Sequence, residues 1–201
     1  MHRLALAVIA LALPATVVLD NPRVKVFRTT DGSVSGVDHG PGVVISLNAG
    51  SNRAAGAAVW MDDVATARAA SGDRLVIVQL RRAAAPSIPL AERRGPRGSA
   101  PAPAPGGQPF TGMSFNTVFE NDRVRVVRAR MDVGAREAFH THGSDTIVVH
   151  LSGGEIEDTA NGKTVVNRWK PGDVEFEAVG SSHSARNVGK AVDAILIALQ
   201  P

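Results

Sequence analysis

The chain has no cysteine and no tyrosine, and aromatic residues fill only 4% of its 201 positions. Without cysteine there are no disulfides, no thiolate metal ligands and no cysteine nucleophile. With so few aromatics, a core must be built mainly from Val, Ile, Leu and Ala, which the 44% apolar content allows. Long hydrophobic runs are also lacking. The run from Leu4 to Leu13 is ten residues, too short to cross a bilayer as a helix.

A folded region rich in one charge is missing too. The formal net charge is +3, but it is unevenly spread. Residues 1–80 carry seven Lys/Arg against six Asp/Glu, and residues 110–201 carry ten against twelve. The excess lies in residues 81–109, with five Arg against Glu92. A nucleic-acid binder concentrates basic residues on a folded face. Nucleic acid is therefore not an expected partner.

What is present begins with Met1-His2-Arg3, the apolar run, and Pro14-Ala15. That is the layout of a secretory signal peptide. Residues 1–15 are expected to direct export to the periplasm or beyond, with no membrane association after cleavage. Arg23-Val-Lys-Val-Phe-Arg28 then alternates polar and apolar, as a half-buried strand does. Val43 to Leu47 and Gly72 to Leu80 read as further strands, and the small residues after Asp62-Asp-Val64 as a possible helix. Residues 81–109, with Pro101-Ala-Pro-Ala-Pro105-Gly-Gly, form a linker that cannot build a core.

After the linker the pattern restarts. Phe119-Glu-Asn-Asp-Arg-Val-Arg-Val-Val-Arg128 mirrors Leu19-Asp-Asn-Pro-Arg-Val-Lys-Val-Phe-Arg28, one hundred residues earlier. Trp169 to Val174 echoes Trp60 to Val64, and Val192 to Ile197 echoes Gly72 to Ile77. Three anchors in one order argue for a duplicated unit. The second copy is a series of short strands with turns at Gly153-Gly154, Asn161-Gly162 and Pro171-Gly172. Asn161-Gly162 between Glu155-Ile-Glu and Thr164-Val-Val is a hairpin signal. The fold class is all-β, a sandwich or jelly-roll barrel.

Three of the six histidines sit in this copy as candidate metal ligands: His140, His142 and His183. Residues i and i+2 of a strand share a face, so His140 and His142 present two imidazoles side by side. If the sheet folds back, His183 joins them. Convergent imidazoles suit a divalent transition metal.

These residues resemble the two motifs of the cupin superfamily. The first is Gly134, five residues, His140-Thr-His142, three residues, Thr146, six residues, Gly153. The second is Gly172, five residues, Ala178-Val-Gly180, two residues, His183, three residues, Asn187. The resemblance implies two cupin-type jelly-roll (double-stranded β-helix) units in tandem. These are a degenerate unit at 16–80 and a metal-site unit at 110–201. It also implies a divalent metal (Fe, Mn, Zn or Ni) on His140, His142 and His183. The implied partner is a small-molecule ligand or substrate, and a homodimer is a candidate assembly. The implied chemistry is that of a dioxygenase or isomerase on a small organic acid or sugar-like molecule. A non-catalytic binding module, or a structural bicupin with a vestigial site, are the alternatives.

Departures from the family pattern bear on chemistry. Its glutamate ligand position is Thr146, and its proline is Ala178. Asp145 points away in a regular strand, and His150 points inward but too far along to share the metal. Arg136 and Arg186 flank the ligand segments as rim residues that could meet a substrate carboxylate. Phe139 and Phe176 are expected in the core or pocket wall. Glu137, Glu175 and Glu177 are candidate bases with no positional support. The first copy has only His39, so it is expected to be structural, covering the barrel's edge.

Overall fold

A computed structural model describes residues 13–50, 53–81 and 110–200. The signal segment lies almost wholly outside these residues, as does the linker apart from Arg81. Strands β1 (Thr16–Asp20), β2 (Val24–Arg28), β3 (Gly42–Ser46), β4 (Ala58–Met61) and β5 (Leu75–Leu80) form one antiparallel sheet. Its order is β1-β2-β5-β3-β4. The expected helix after Asp62 is only a 3-10 turn, Val64–Thr66, capped by Asp63.

The second sheet contains β6 (Phe110–Glu120), β7 (Val124–Thr141), β8 (Thr146–His150), β9 (Gly154–Ala160) and β10 (Lys163–Trp169). It is completed by β11 (Val174–Glu177), β12 (Ser182–Asn187) and β13 (Val192–Leu199). The order is β10-β9-β12-β7-β13-β8-β11, with β6 along β7. The 18-residue β7 pairs with β13 through its first half and with β12 through its second. One strand thus runs through both walls of a jelly roll. The Asn161-Gly162 hairpin forms as expected, both residues having positive φ (52° and 72°) as a type I′ turn requires.

Five strands recur in both sheets in the same order: β1-β2-β5-β3-β4 corresponds to β6-β7-β13-β8-β11. The details recur as well. A bulge separates Val17 from Leu19 in β1 and Thr117 from Phe119 in β6. Asn21 Oδ1 accepts from the N–H of Arg23 and Val24, and Asn121 Oδ1 from those of Arg123 and Val124. The first anchor therefore aligns at one hundred residues. The other two do not. Val24 pairs with Leu80 and Val124 with Leu199, so Ile197 corresponds to Val78, one residue beyond the sequence match. Trp60 pairs with Val43, and Phe176 with Ile147, so Trp60 corresponds to Phe176 and not to Trp169.

The two sheets share one core. Val24, Val26, Val43, Ile45, Val76 and Val78 meet Val124, Val126, Ile147, Val149, Ile195 and Ile197, and none is exposed. The first unit therefore covers a face of the second, not its edge. Arg23 bonds Asp145 at 2.8 Å, and Arg28 approaches Asp173 at 3.6 Å across the same boundary. Behind the first sheet, Phe27, Val44, Leu75 and Ile77 pack against Val37, Val64 and Ala67 from its own loops. Those loops replace the second wall that β9, β10 and β12 give the C-terminal unit.

Truncating a core isoleucine costs about 2–5 kcal/mol. Because the core is shared, Ile45→Ala and Ile197→Ala should each lower the midpoint of a single thermal transition. Calorimetry checks this. Two transitions, with Ile45→Ala moving only one, would show the units to be independent.

Candidate metal centre

The three predicted histidines converge. His140 lies directly opposite His183 across the β7–β12 pair. His142 follows the end of β7, where its N–H donates to the Ser181 carbonyl and its carbonyl accepts from the Gly180 N–H. Gly180 has φ of 82°, a left-handed conformation that closes this tight return without strain. The ring centroids are 4.8, 4.8 and 4.9 Å apart, and one ligand atom from each residue lies within 4.8 Å of the others.

The hydrogen bonds behind the rings fix which nitrogen is free. His183 Nδ1 is 2.8 Å from Asp158 Oδ1, and His140 Nδ1 is 3.1 Å from the Ala138 carbonyl. Both acceptors require a proton on Nδ1, leaving Nε2 with a lone pair. His142 Nε2 and His183 Nε2 stand 3.1 Å apart. Two nitrogens at that distance need a proton or a cation between them. The donor set therefore fits a divalent ion of the borderline class that imidazole prefers.

Two of the carboxylates that the sequence named as candidate bases but could not place lie beside the cluster. Glu137 Oε1 is 3.4 Å from His140 Nε2, and its Oε2 is 4.0 Å from His183 Nε2. In a regular strand, residues three apart face opposite ways. Here β7 bulges: His183 and Ala185, two apart, pair with His140 and Glu137, three apart. The bulge turns Glu137 inward. On the other side, Glu177 Oε2 is 3.5 Å from His142 Nδ1 and its Oε1 is 3.9 Å from His183 Nε2. Glu177 is the cross-strand partner of Thr146, the position where the cupin pattern has its glutamate. A carboxylate on the strand adjacent to β8 thus stands beside the imidazoles.

Burial controls the protonation of this cluster. It pushes Glu177 up to about 9, with Glu175, Glu137 and Asp158 adding to the shift. It pushes Glu137 up to about 7, opposed by His183 and reinforced by Asp158 and Glu175. It lowers His142 to about 4, helped by the neighbouring imidazoles, and lowers His140 as well. Near neutral pH, His140 and His142 are therefore in the neutral form that ligates.

The other sequence candidates fall elsewhere. Asp145 bonds Arg23 and the Val179 N–H, outside the cluster. Thr146 is buried and its hydroxyl donates to the Ser144 carbonyl at 3.3 Å. Arg136 and Arg186 are cross-strand partners one position out of phase with the inward residues, and Arg186 pairs with Glu157. Both face away from the imidazoles. Phe176 packs against the shared core, but Phe139 is 62% exposed, because it alternates with the inward-facing His140. His39 is exposed and bonded to Asp63 at 2.8 Å. His150 is fully buried, stacked on Trp169, with neither ring nitrogen hydrogen-bonded among the described residues.

A metal-free carboxyl with a raised pKa holds a proton that an ion must displace. Affinity then rises with pH up to the folded pKa, about tenfold per unit for each proton released. Zn²⁺ affinity should therefore keep rising from pH 6.5 toward 9, and Glu177→Gln should flatten the profile above about 7. Competition titrations with a chelator read this. Identical slopes in both proteins would exclude Glu177 as a ligand.

No protein-family model matches this chain. No curated protein matches it either. Among solved structures, a cupin domain from Bordetella pertussis Tohama I is 21% identical, with 47% of this chain and 100% of that one covered and a TM-score of 0.43. A predicted oxalate decarboxylase from Thermotoga maritima is 25% identical, with 44% and 81% covered and a TM-score of 0.38. A cupin superfamily protein from Desulfitobacterium hafniense DCB-2 is 17% identical, with 59% and 94% covered and a TM-score of 0.38. In this chain itself, both spaced motifs lie on the strands of one jelly roll and bring His140, His142 and His183 together inside it. By those residues and that strand order, the C-terminal half of the chain is a jelly-roll unit that resembles the cupin superfamily.

Proposed function

We propose that the chain is an exported, metal-dependent enzyme that moves a proton on a small oxygenated acid or sugar-like molecule, an isomerase-type reaction. The observation that carries this reading is the pair of buried carboxylates flanking the three imidazoles. A bound divalent ion supplies Lewis acidity to a substrate oxygen. His140, His142, His183 and Glu177 hold the ion. Glu137, poised at about 7, takes and returns the substrate proton. Two carboxyls whose surroundings push them to different values are the usual basis for such a division of labour. The first unit is a cupin-like repeat without a mouth of its own, retained as a cover. Export rests on the layout of residues 1–15 alone.

The two glutamates separate the roles. Glu137→Gln should keep about one equivalent of metal and lose turnover by about 10²–10⁴-fold. Glu177→Gln should lose metal first, with activity partly restored by excess ion. The assay is a screen of hydroxy and keto acids and aldoses for exchange of a carbon-bound hydrogen with D₂O by NMR. Oxygen consumption dependent on Fe(II), with no such exchange, would replace this reading with a dioxygenase. Stoichiometric ligand binding without exchange or oxygen uptake would replace it with a binding module.

A further inference from the structure

Away from the histidines, a cavity of about 420 Å³ opens beside the end of β10, lined by Glu155, Arg168, Trp169, Lys170 and Lys190, among others. Its volume falls within the range of small-molecule sites. Trp169 is one of only two tryptophans in the chain. Its indole stacks on His150, with centroids 4.5 Å apart and planes 13° from parallel. His150 is itself 1% exposed, so the ring behind the indole is fixed in the barrel interior. The tryptophan is thus a rigid wall of the cavity, and its N–H makes no hydrogen bond among the described residues.

The cations around that wall are only partly compensated. Arg168 bonds Glu155 at 3.1 Å, whereas Lys170 and Lys190 have no acidic partner among the described residues. Three cations therefore face one carboxylate. Their backbones are held in place. The Lys170 N–H donates to Asp173 Oδ2 at 2.7 Å, and the Lys170 carbonyl accepts from the Asp173 N–H at 3.0 Å. The Lys190 carbonyl accepts from Asn187 Nδ2, which also donates to the carbonyls of Met131 and Asp132. Two lysines set on pinned turns beside a rigid aromatic face form a preorganised arrangement.

We propose that this cavity binds a phosphorylated ring compound, with the ring on the outer face of Trp169 and the phosphate between Lys170 and Lys190. Lysine binds phosphate as a compact charge, and the indole takes the flat face of a base or the apolar face of a sugar. The site is separate from the metal centre and stands whether or not the proton-transfer reading holds.

The test uses the metal-loaded full chain carrying Trp60→Phe, so that Trp169 is the only indole. Adenosine 5′-monophosphate and glucose 6-phosphate are titrated by calorimetry and by indole fluorescence, beside adenosine and inorganic phosphate. At least one phosphorylated ring should bind saturably with a fluorescence change, and at least about tenfold tighter than either separate part. The nucleotide binding alone would assign the wall to a base, the sugar phosphate alone to a sugar. Lys170→Gln/Lys190→Gln should weaken binding by about tenfold or more, while His140→Ala/His142→Ala leaves it unchanged. No saturable binding of either compound overturns the proposal. So does equal binding by adenosine, an unaffected lysine variant, or loss of binding in the histidine variant.

Discussion

One strand connects everything described above. β7 begins at Val124 and Val126, which are buried against the first sheet, and ends at His140, which faces the centre of the imidazole cluster. Hydrogen bonds to β13 hold its first half, and bonds to β12 hold its second. The position of His140 is therefore set by a ladder anchored in the hydrophobic core some fifteen residues away along the strand. His183 is carried by the neighbouring strand in direct register, and His142 by the turn that Gly180 closes. The three imidazoles are placed by backbone pairing, which leaves the side chains little freedom to lose on binding a ligand.

The cost of this arrangement is electrostatic. Glu137, Glu177, Glu175 and Asp158 share a small volume with three imidazoles, and burial disfavours the ionised forms of Glu137, Glu177, His140 and His142. For Glu177, the folded carboxyl holds its proton up to about 9, while the unfolded one loses it near 4.5. The folded metal-free state therefore binds more protons across that interval, and its stability falls as pH rises through it. A divalent ion reverses the penalty by supplying the missing positive charge. Such a site trades stability without metal for affinity with it.

Much of this was legible in the residues. Alternation gave the strands, Asn161-Gly162 gave a hairpin, and the spacing of His140, His142 and His183 marked the three imidazoles that the fold brings together. What was not legible depended on register. Glu137 could not be placed because an inward orientation three residues before His140 requires a bulge, and no residue type announces one. Glu177 could not be placed because its position beside the imidazoles comes from pairing with Thr146, a cross-strand relation. The repeat was read correctly at Asn21 and Asn121, where a side-chain cap fixes the turn. It slipped by one residue at the last strand, where alternating and continuous apolar runs look alike. Ile77 lies on the outer face of its sheet and Val78 on the shared one, so that slip exchanges two different cores. The burial of His150 without a hydrogen-bond partner was also unexpected, since buried polar groups are usually satisfied.

The face-to-face contact of the two sheets has a consequence for assembly. Each sheet offers the other a wide aliphatic surface, and both surfaces belong to one polypeptide. An encounter that separate molecules would make by diffusion is here made by the chain with itself. Its strength is then set by tether length and not by how much protein is present. Dilution cannot separate the halves. Because that surface is already occupied internally, a second copy of the chain would have to dock through some other part of the molecule.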